Sequence, residues 1–287
     1  MRYTPLDVDL SGRVAVVTGA NRGMGKETAR ELVRLGAQVV LGCRSTERGA
    51  AAAREIADTT GSPHVSAMEA DLSSLASVRA FARELQARFL RIDVLVHNAA
   101  VSLRTRQVTA EGFERHWATN VLGPYLLTSL LLPQLEASGH GRIVIVSTRA
   151  AGGLDLEDTQ YERRRFGGIG AYRASKQASR MLTWALAERL GDRPVTANAL
   201  NPGYVLTDLT TSVGGLLKVL VRLTSFRAVT ALEGADTAIW LAASHEAEGR
   251  SGAFWNRRRE TRCRFRNPQA IERLCGLVEI QAGLKPG

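Results

Sequence analysis

Cysteine is scarce in this sequence. Three residues, Cys43, Cys263 and Cys275, lie far apart, and no C-x-x-C occurs. An odd, scattered set argues against a disulfide framework and fits a reduced, cytoplasmic setting. The five histidines are equally dispersed, without ligand spacing, so no metal is expected. No run of about 20 apolar residues occurs, which removes a membrane-spanning helix from the expectations. No secretory signal is expected either, because MRYTPLDVDLSG lacks an apolar stretch. Aromatic residues make up 6% and no nucleic-acid motif is visible, so the net charge of +10 does not point to nucleic acid. Lysine is rare too. With only Lys26, Lys176, Lys218 and Lys285, arginine carries nearly all the positive charge. Much of it alternates with glutamate along helical stretches such as ETARELVRLG, which reads as a solvated face.

Hydrophobic residues, at 45%, are sufficient for a sizeable core. Short apolar runs alternate with amphipathic ones. Strands are expected at 13–19, 38–44, 65–71, 92–100, 141–148, 194–203 and 251–255, with helices between most of them. Strict alternation with β-branched, two-sided strands implies an α/β fold, a doubly wound parallel sheet with helices on both faces. Without a linker or repeat, residues 1–287 read as a single domain with a core at about 10–256. Ligands bind such sheets beyond the carboxyl ends of the strands.

The first strand runs into TGANRGMGKE. Gly19, Gly23 and Gly25 permit a tight turn and a close backbone approach to a pyrophosphate at a helix N-terminus. The second strand ends in GCRST, with Arg44 where an acidic residue would bind a free ribose hydroxyl. Arg22 lies inside the glycine turn. Two guanidiniums suit a 2′-phosphate, so NADP(H) is favoured over NAD(H). Further on, GAYRASKQAS places Tyr172 one helical turn before Lys176. A phenol alone is a poor proton carrier at neutral pH, and a nearby ammonium is expected to lower its pKa.

Taken together, these motifs resemble the short-chain dehydrogenase/reductase family over roughly residues 10–256. They are T-G-x-x-x-G-x-G at Thr18–Gly25, Asp71 after strand three, Asn98–Ala99, Asn120 in ATNVLG, Y-x-x-x-K at Tyr172–Lys176, and Pro202–Gly203. The neighbourhood is that of the retinol-dehydrogenase-like and carbonyl-reductase-like branches, which also carry an insert like the one at 149–170. The resemblance implies a Rossmann fold and a site for NADP(H). Its cofactor residues would be Gly19, Asn21, Arg22, Gly23, Met24, Gly25, Arg44, Asp71, Leu72, Asn98, Ala99, Ala100, Tyr172, Lys176, Pro202, Gly203, Val205 and Thr207. Its catalytic residues would be Asn120, holding a relay water, Tyr172 as proton donor, and Lys176 tuning Tyr172. A hydroxyl after strand five completes the set. Counting along the family pattern puts Thr148 there, where a serine is usual, with Ser147 as the alternative. In HNAA at 97–100, His97 and Ala100 replace an asparagine and a glycine, and His97 is expected to be structural.

The implied activity is NADPH-dependent hydride transfer between the nicotinamide and a carbonyl/alcohol pair, reducing a lipophilic ketone or aldehyde. The other readings are a non-catalytic dinucleotide-binding sensor on the same fold and, behind it, a basic nucleic-acid-binding protein. Residues 204–228 are expected to form a lid over the substrate, with Leu216–Phe226 as an amphipathic helix. Contact of that helix with a membrane surface is a variant of the same idea. The arginines in the basic extension at 257–287 read as a solvated charge run, with anchoring of an anionic tail as the alternative. Helices at about 119–137 and 171–190 are expected to pack against their copies in a homodimer or homotetramer.

Overall fold

The structure, a computed structural model, describes residues 3–203 and 230–285. The expected lid, with Val205 and Thr207, lies outside the described residues. A central sheet of eight strands runs in the order β3-β2-β1-β4-β5-β6-β7-β8. The strands are β1 (Val14–Thr18), β2 (Gln38–Cys43), β3 (Val65–Glu69), β4 (Val94–His97), β5 (Gly141–Val146), β6 (Val195–Asn201), β7 (Phe254–Asn256) and β8 (Arg259–Thr261). The first seven pair in parallel, as the alternation predicts, and β8 turns back antiparallel to β7.

Because successive side chains in a strand face opposite ways, each central strand feeds two cores. In β1, Ala15 and Val17 join the core that also holds Leu32 and Trp240, while Val14 and Val16 join the one with Phe81 and Leu131. Helices α1 (Gly23–Arg34) and α2 (Thr46–Thr60) cover the first face, and α3 (Leu75–Arg88) covers the second. A short turn α4 (Arg115–Trp117) passes through a π-helical turn at Ala118–Leu122 into α5 (Gly123–Ala137). Two long elements follow, α6 (Gly168–Leu190) and α7 (Ala231–Ala243). Among the described residues no helix is long and apolar enough to cross a membrane.

Two of the boundaries that depart from expectation bear on the site. The fourth strand stops at His97 rather than Ala100, because the N–H groups of Asn98 and Ala99 turn to Thr18 Oγ1, each at 3.2 Å. The fifth helix is regular only from Gly123, since Asn120 is held inside the π turn.

The basic extension is not simply a solvated charge run. Arg258 pairs with the buried Asp236, and Arg266 lies over the Trp184 ring, 4.7 Å from its centroid. After β8, the exposed Arg262, Arg264 and Arg266 alternate with the half-buried Cys263 and Phe265. Charged side chains along a sheet edge discourage pairing with another chain. A further helix, α8 (Pro268–Gln281), packs Leu274, Cys275 and Val278 against Trp117, Val121, Met181, Leu182 and Ala185. It thereby covers part of the surface that 119–137 and 171–190 would offer to a second subunit.

Candidate active site

The carboxyl ends of β1, β2, β4, β5 and β6 open on one cavity of about 630 Å³. Its floor is the turn from β1 into α1. Gly19 and Gly23 adopt φ of +66° and +56°, a region that favours glycine. Gly25 is required by a close approach: a Cβ there would lie 2.3 Å from Asn98 Nδ2 and 2.6 Å from Gly19 O. Asn98 Nδ2 donates to the carbonyls of Thr18 and Gly19 at 3.0 and 3.1 Å, tying the turn to the end of β4.

The glycine turn contributes Gly19, Asn21, Arg22, Gly23, Met24 and Gly25 to the cavity wall, and the end of β2 contributes Arg44. Asp71 and Leu72 follow β3, and Asn98, Ala99 and Ala100 follow β4. Ser147, Thr148, Tyr172, Lys176, Pro202 and Gly203 close the other end. Motif counting missed Ser45, Arg48, Val101, Ser102 and Thr119, which also line it. Arg48 had a readable signal. It sits in the first turn of α2, where a cation opposes the helix dipole.

The donor set fits a dinucleotide. The N-cap of α1 is Arg22, without a side-chain cap, and no acidic residue stands in the first turn. In contrast, α2 and α3 are capped by Ser45 and Ser74. The first-turn N–H groups of α1 are thus left for an anion. The carboxylate of Asp71 accepts from Ser73 N and Oγ at 2.9 and 2.6 Å, fixing the turn into α3.

At the other end, α6 presents Tyr172 and Lys176 on one face. Lys176 is buried, and its Nζ donates to the carbonyl of Val146 at 2.8 Å. The ammonium stands 5.8 Å from the centroid of the Tyr172 ring. The expected lowering of the phenol is not what this arrangement gives. Burial pushes Tyr172 up to about 12 and Lys176 down to about 8. Lys176 is buried and Tyr172 half-buried, and the water each loses disfavours its charged form. At neutral pH Tyr172 is therefore held as the acid.

The two candidate hydroxyls differ. Ser147 is buried and donates to the carbonyl of Lys176 at 3.1 Å. Thr148 is half-buried, and its Oγ1 accepts from Ala150 N at 3.2 Å, which leaves its proton for another acceptor. Asn120 does not line the main cavity. Its Oδ1 accepts from Val101 N at 2.9 Å, and its Nδ2 donates to Val101 O at 3.1 Å and Ser175 Oγ at 2.9 Å. His97 is buried, with Nε2 2.7 Å from Thr128 Oγ1. Burial, reinforced by the nearby Lys176 charge, pushes it down to about 3, so it stays neutral. Among the described residues no group of three or more His, Cys, Asp or Glu is placed to hold a metal.

Comparison with known proteins shows the family. Residues 13–215 match the short chain dehydrogenase family. Retinol dehydrogenase 12 of Homo sapiens is 41% identical over 283 residues, covering 96% of this chain and 89% of that protein. Retinol dehydrogenase 14 of Homo sapiens is 37% identical, covering 96% and 88%. A crystal structure of a protein from Mycobacterium paratuberculosis superposes with a TM-score of 0.79 at 32% identity, covering 98% of this chain and 97% of that one. The RhlG/NADP active-site complex of Pseudomonas aeruginosa gives a TM-score of 0.70 at 28% identity, covering 86% and 94%. With the sheet order, the glycine turn and the Tyr172–Lys176 pair, these matches make the chain a member of the short-chain dehydrogenase/reductase family, the NAD(P)(H)-dependent oxidoreductases.

Proposed function

We propose that the protein is an NADPH-dependent carbonyl reductase, or the reverse alcohol dehydrogenase, acting on a lipophilic ketone or aldehyde. The observation that carries this reading is the polarity of this cavity. Arg22, Arg44 and Arg48 border it at the glycine turn, the end of β2 and the start of α2, while Thr148, Tyr172 and Lys176 border it near β5 and α6. In the strand order, β2 and β5 are three steps apart. At about 4.8 Å per step that is roughly 14 Å, a span suited to a dinucleotide.

When bound, NADP(H) supplies or accepts the hydride. The side chains manage the proton and the oxygen. In reduction, Tyr172 Oη gives its proton to the carbonyl oxygen as the carbon becomes tetrahedral, and Thr148 Oγ1 donates a hydrogen bond to that oxygen. Lys176 anchors one N–H on Val146 O and offers its others to a ribose. Its charge stabilises the phenolate left after transfer, even though burial dominates in the resting state. Asn120 holds the π turn and the 101 loop in register through its bonds to Val101 and Ser175.

Support for an apolar substrate comes from two directions. The relatives are retinol dehydrogenases by name, and retinol is an apolar alcohol. The sequence after Gly203 is rich in leucine and valine, with Leu216, Leu217, Val219, Leu220, Val221 and Leu223 close together. The test is NADPH oxidation against a series of apolar ketones, aldehydes and quinones, with Tyr172→Phe as control. Turnover that Tyr172→Phe lowers by about 10³-fold, at unchanged NADPH affinity, is expected. Near-normal turnover in that variant would refute the role given to Tyr172.

A further inference from the structure

Arg180 is a buried cation with an unusual set of neighbours. It lies on α6, one turn beyond Lys176 and two beyond Tyr172, and is only 4% exposed. Among the described residues no carboxylate pairs with it. Its Nη1 donates to the carbonyl of Thr148 at 3.2 Å, and its Nη2 donates to Cys263 Sγ at 3.1 Å. The guanidinium stacks on Phe254, 3.5 Å from the ring centroid, with Phe265 at 5.1 Å. Among the described residues its Nε has no hydrogen-bond partner.

Stability gives little reason for this arrangement. Burying a charge is costly, and replacing it with an apolar side chain of similar volume is often neutral or stabilising. The aromatic stack offsets only part of the loss. The contact with Thr148 supplies another reason. Three consecutive residues after the middle of β5 are stitched to α6: Val146 O by Lys176 Nζ, the Ser147 hydroxyl by Lys176 O, and Thr148 O by Arg180. On the far side of Thr148, Arg149 N donates to Asn201 Oδ1 at 3.1 Å. The Thr148 peptide is therefore clamped on both sides, and its carbonyl is fixed by the helix that carries Tyr172.

We infer that Arg180 is a positioning residue for Thr148, setting the direction of the hydroxyl relative to the Tyr172 phenol. The inference rests on the proposed role of Thr148 as the hydroxyl that binds the substrate oxygen. Arg180 is not part of the cavity wall, so cofactor affinity does not depend on it directly. A clamp of this kind changes the geometry of the reacting groups, and small misplacements there are amplified in rate.

A double-mutant cycle tests this, read by thermal unfolding, NADPH affinity and steady-state kinetics. Arg180→Met is expected to unfold at or above the wild-type temperature and to bind NADPH normally. Its kcat should fall about tenfold to a hundredfold, with KM little changed. Arg180→Lys, which keeps a donor for Thr148 O, should recover most of that loss. In a Thr148→Ala background Arg180→Met should add less than about a twofold further loss, since the group it positions is gone. Arg180→Met with wild-type kcat, beside an impaired Thr148→Ala, overturns the inference alone. So does a loss of equal size in both backgrounds. Thr148→Ala with full activity overturns the underlying reading of Thr148. If Arg180→Met does not fold, Arg180→Gln takes its place in the same cycle.

Discussion

The hydroxyl of Ser147 points at α6, donating to the backbone carbonyl of Lys176 at 3.1 Å, while that of its neighbour Thr148 accepts from Ala150 N and keeps its proton for another acceptor. Both residues border the cavity, but the Ser147 proton is committed to α6 while the Thr148 proton is not, which is why Thr148 is the proposed donor to the substrate oxygen. Thr148→Ala should lower kcat by about 10²-fold, the scale set by removing one donor to a developing oxyanion. Ser147→Ala should lower stability by about 1 kcal/mol and kcat much less. The reverse order in the kinetics would mean that Ser147, not Thr148, meets the substrate.

Burial of Lys176 predicts an uncommon pH dependence of stability. Its folded pKa, about 8, lies below the ordinary lysine value of 10.5. Between those values the unfolded chain binds more protons, so stability rises with pH across that window. Below about pH 8 the full cost of burying the ammonium is present, on the order of 3 kcal/mol. Lys176→Met should therefore raise the Tm of the cofactor-free protein at pH 7, with the gain shrinking towards pH 10. Tyr172 acts in the opposite sense at higher pH. Raised to about 12, it keeps its proton longer when folded, so stability falls with rising pH above 10. Melting curves of wild type and variant from pH 7 to pH 10 check this, and a constant Tm difference would contradict it.

These two cases mark what could be read without coordinates. Gly19, Gly23 and Gly25 emerge from their strand–turn–helix context, and the Tyr172–Lys176 pair emerges from the ordered motifs that carry the family resemblance. The sign of the Tyr172 shift does not, because it depends on how much water the fold removes, and burial is a property of the whole chain. Arg48 is legible as a cation in the first turn of α2, but that it lines the same cavity as Arg44 follows only from the fold. Helix α8 is a different omission. Asn267 caps it, Pro268 opens it, and Ile271, Leu274, Cys275 and Val278 repeat on one face. That pattern was legible, and the arginines just before it drew the reading towards a solvated tail.

Gly25 offers a sharp test of the glycine turn. A methyl group there would meet Asn98 Nδ2 and Gly19 O well inside contact distance. Asn98 can give way only by releasing the carbonyls of Thr18 and Gly19, and Gly19 O is backbone. Gly25→Ala should destabilise the fold by about 1–3 kcal/mol, as overpacking does. It should also weaken NADPH binding, because the turn that presents the α1 N–H groups is displaced. Unchanged Tm and affinity would show that the turn relaxes freely.

The proposed preference for NADPH draws on the guanidiniums that border the cavity. Arg22, Arg44 and Arg48 are exposed around the cavity, and the end of β2 offers Gly42, Arg44 and Ser45 without a carboxylate. Asp71 is the acidic residue of the wall, and its carboxylate is engaged by Ser73. Among the described residues, no carboxylate at the β2 end is placed to accept from ribose hydroxyls, and the proposed NADPH reading assigns Arg44 and Arg48 to the 2′-phosphate. A hydrogen bond to a charged group contributes about 1.5–3 kcal/mol, so each guanidinium engaged gives about tenfold or more in preference. Arg44→Asp should reduce the NADPH-to-NADH ratio of kcat/KM by about 10²-fold, through a lost contact and a new repulsion. Arg48→Ala should reduce it by about tenfold. Because these side chains are exposed, the wild-type preference should also fall as salt rises, whereas NADH turnover should respond less. A wild type that prefers NADH, or a preference indifferent to both Arg44 and Arg48, would remove the basis for assigning NADPH.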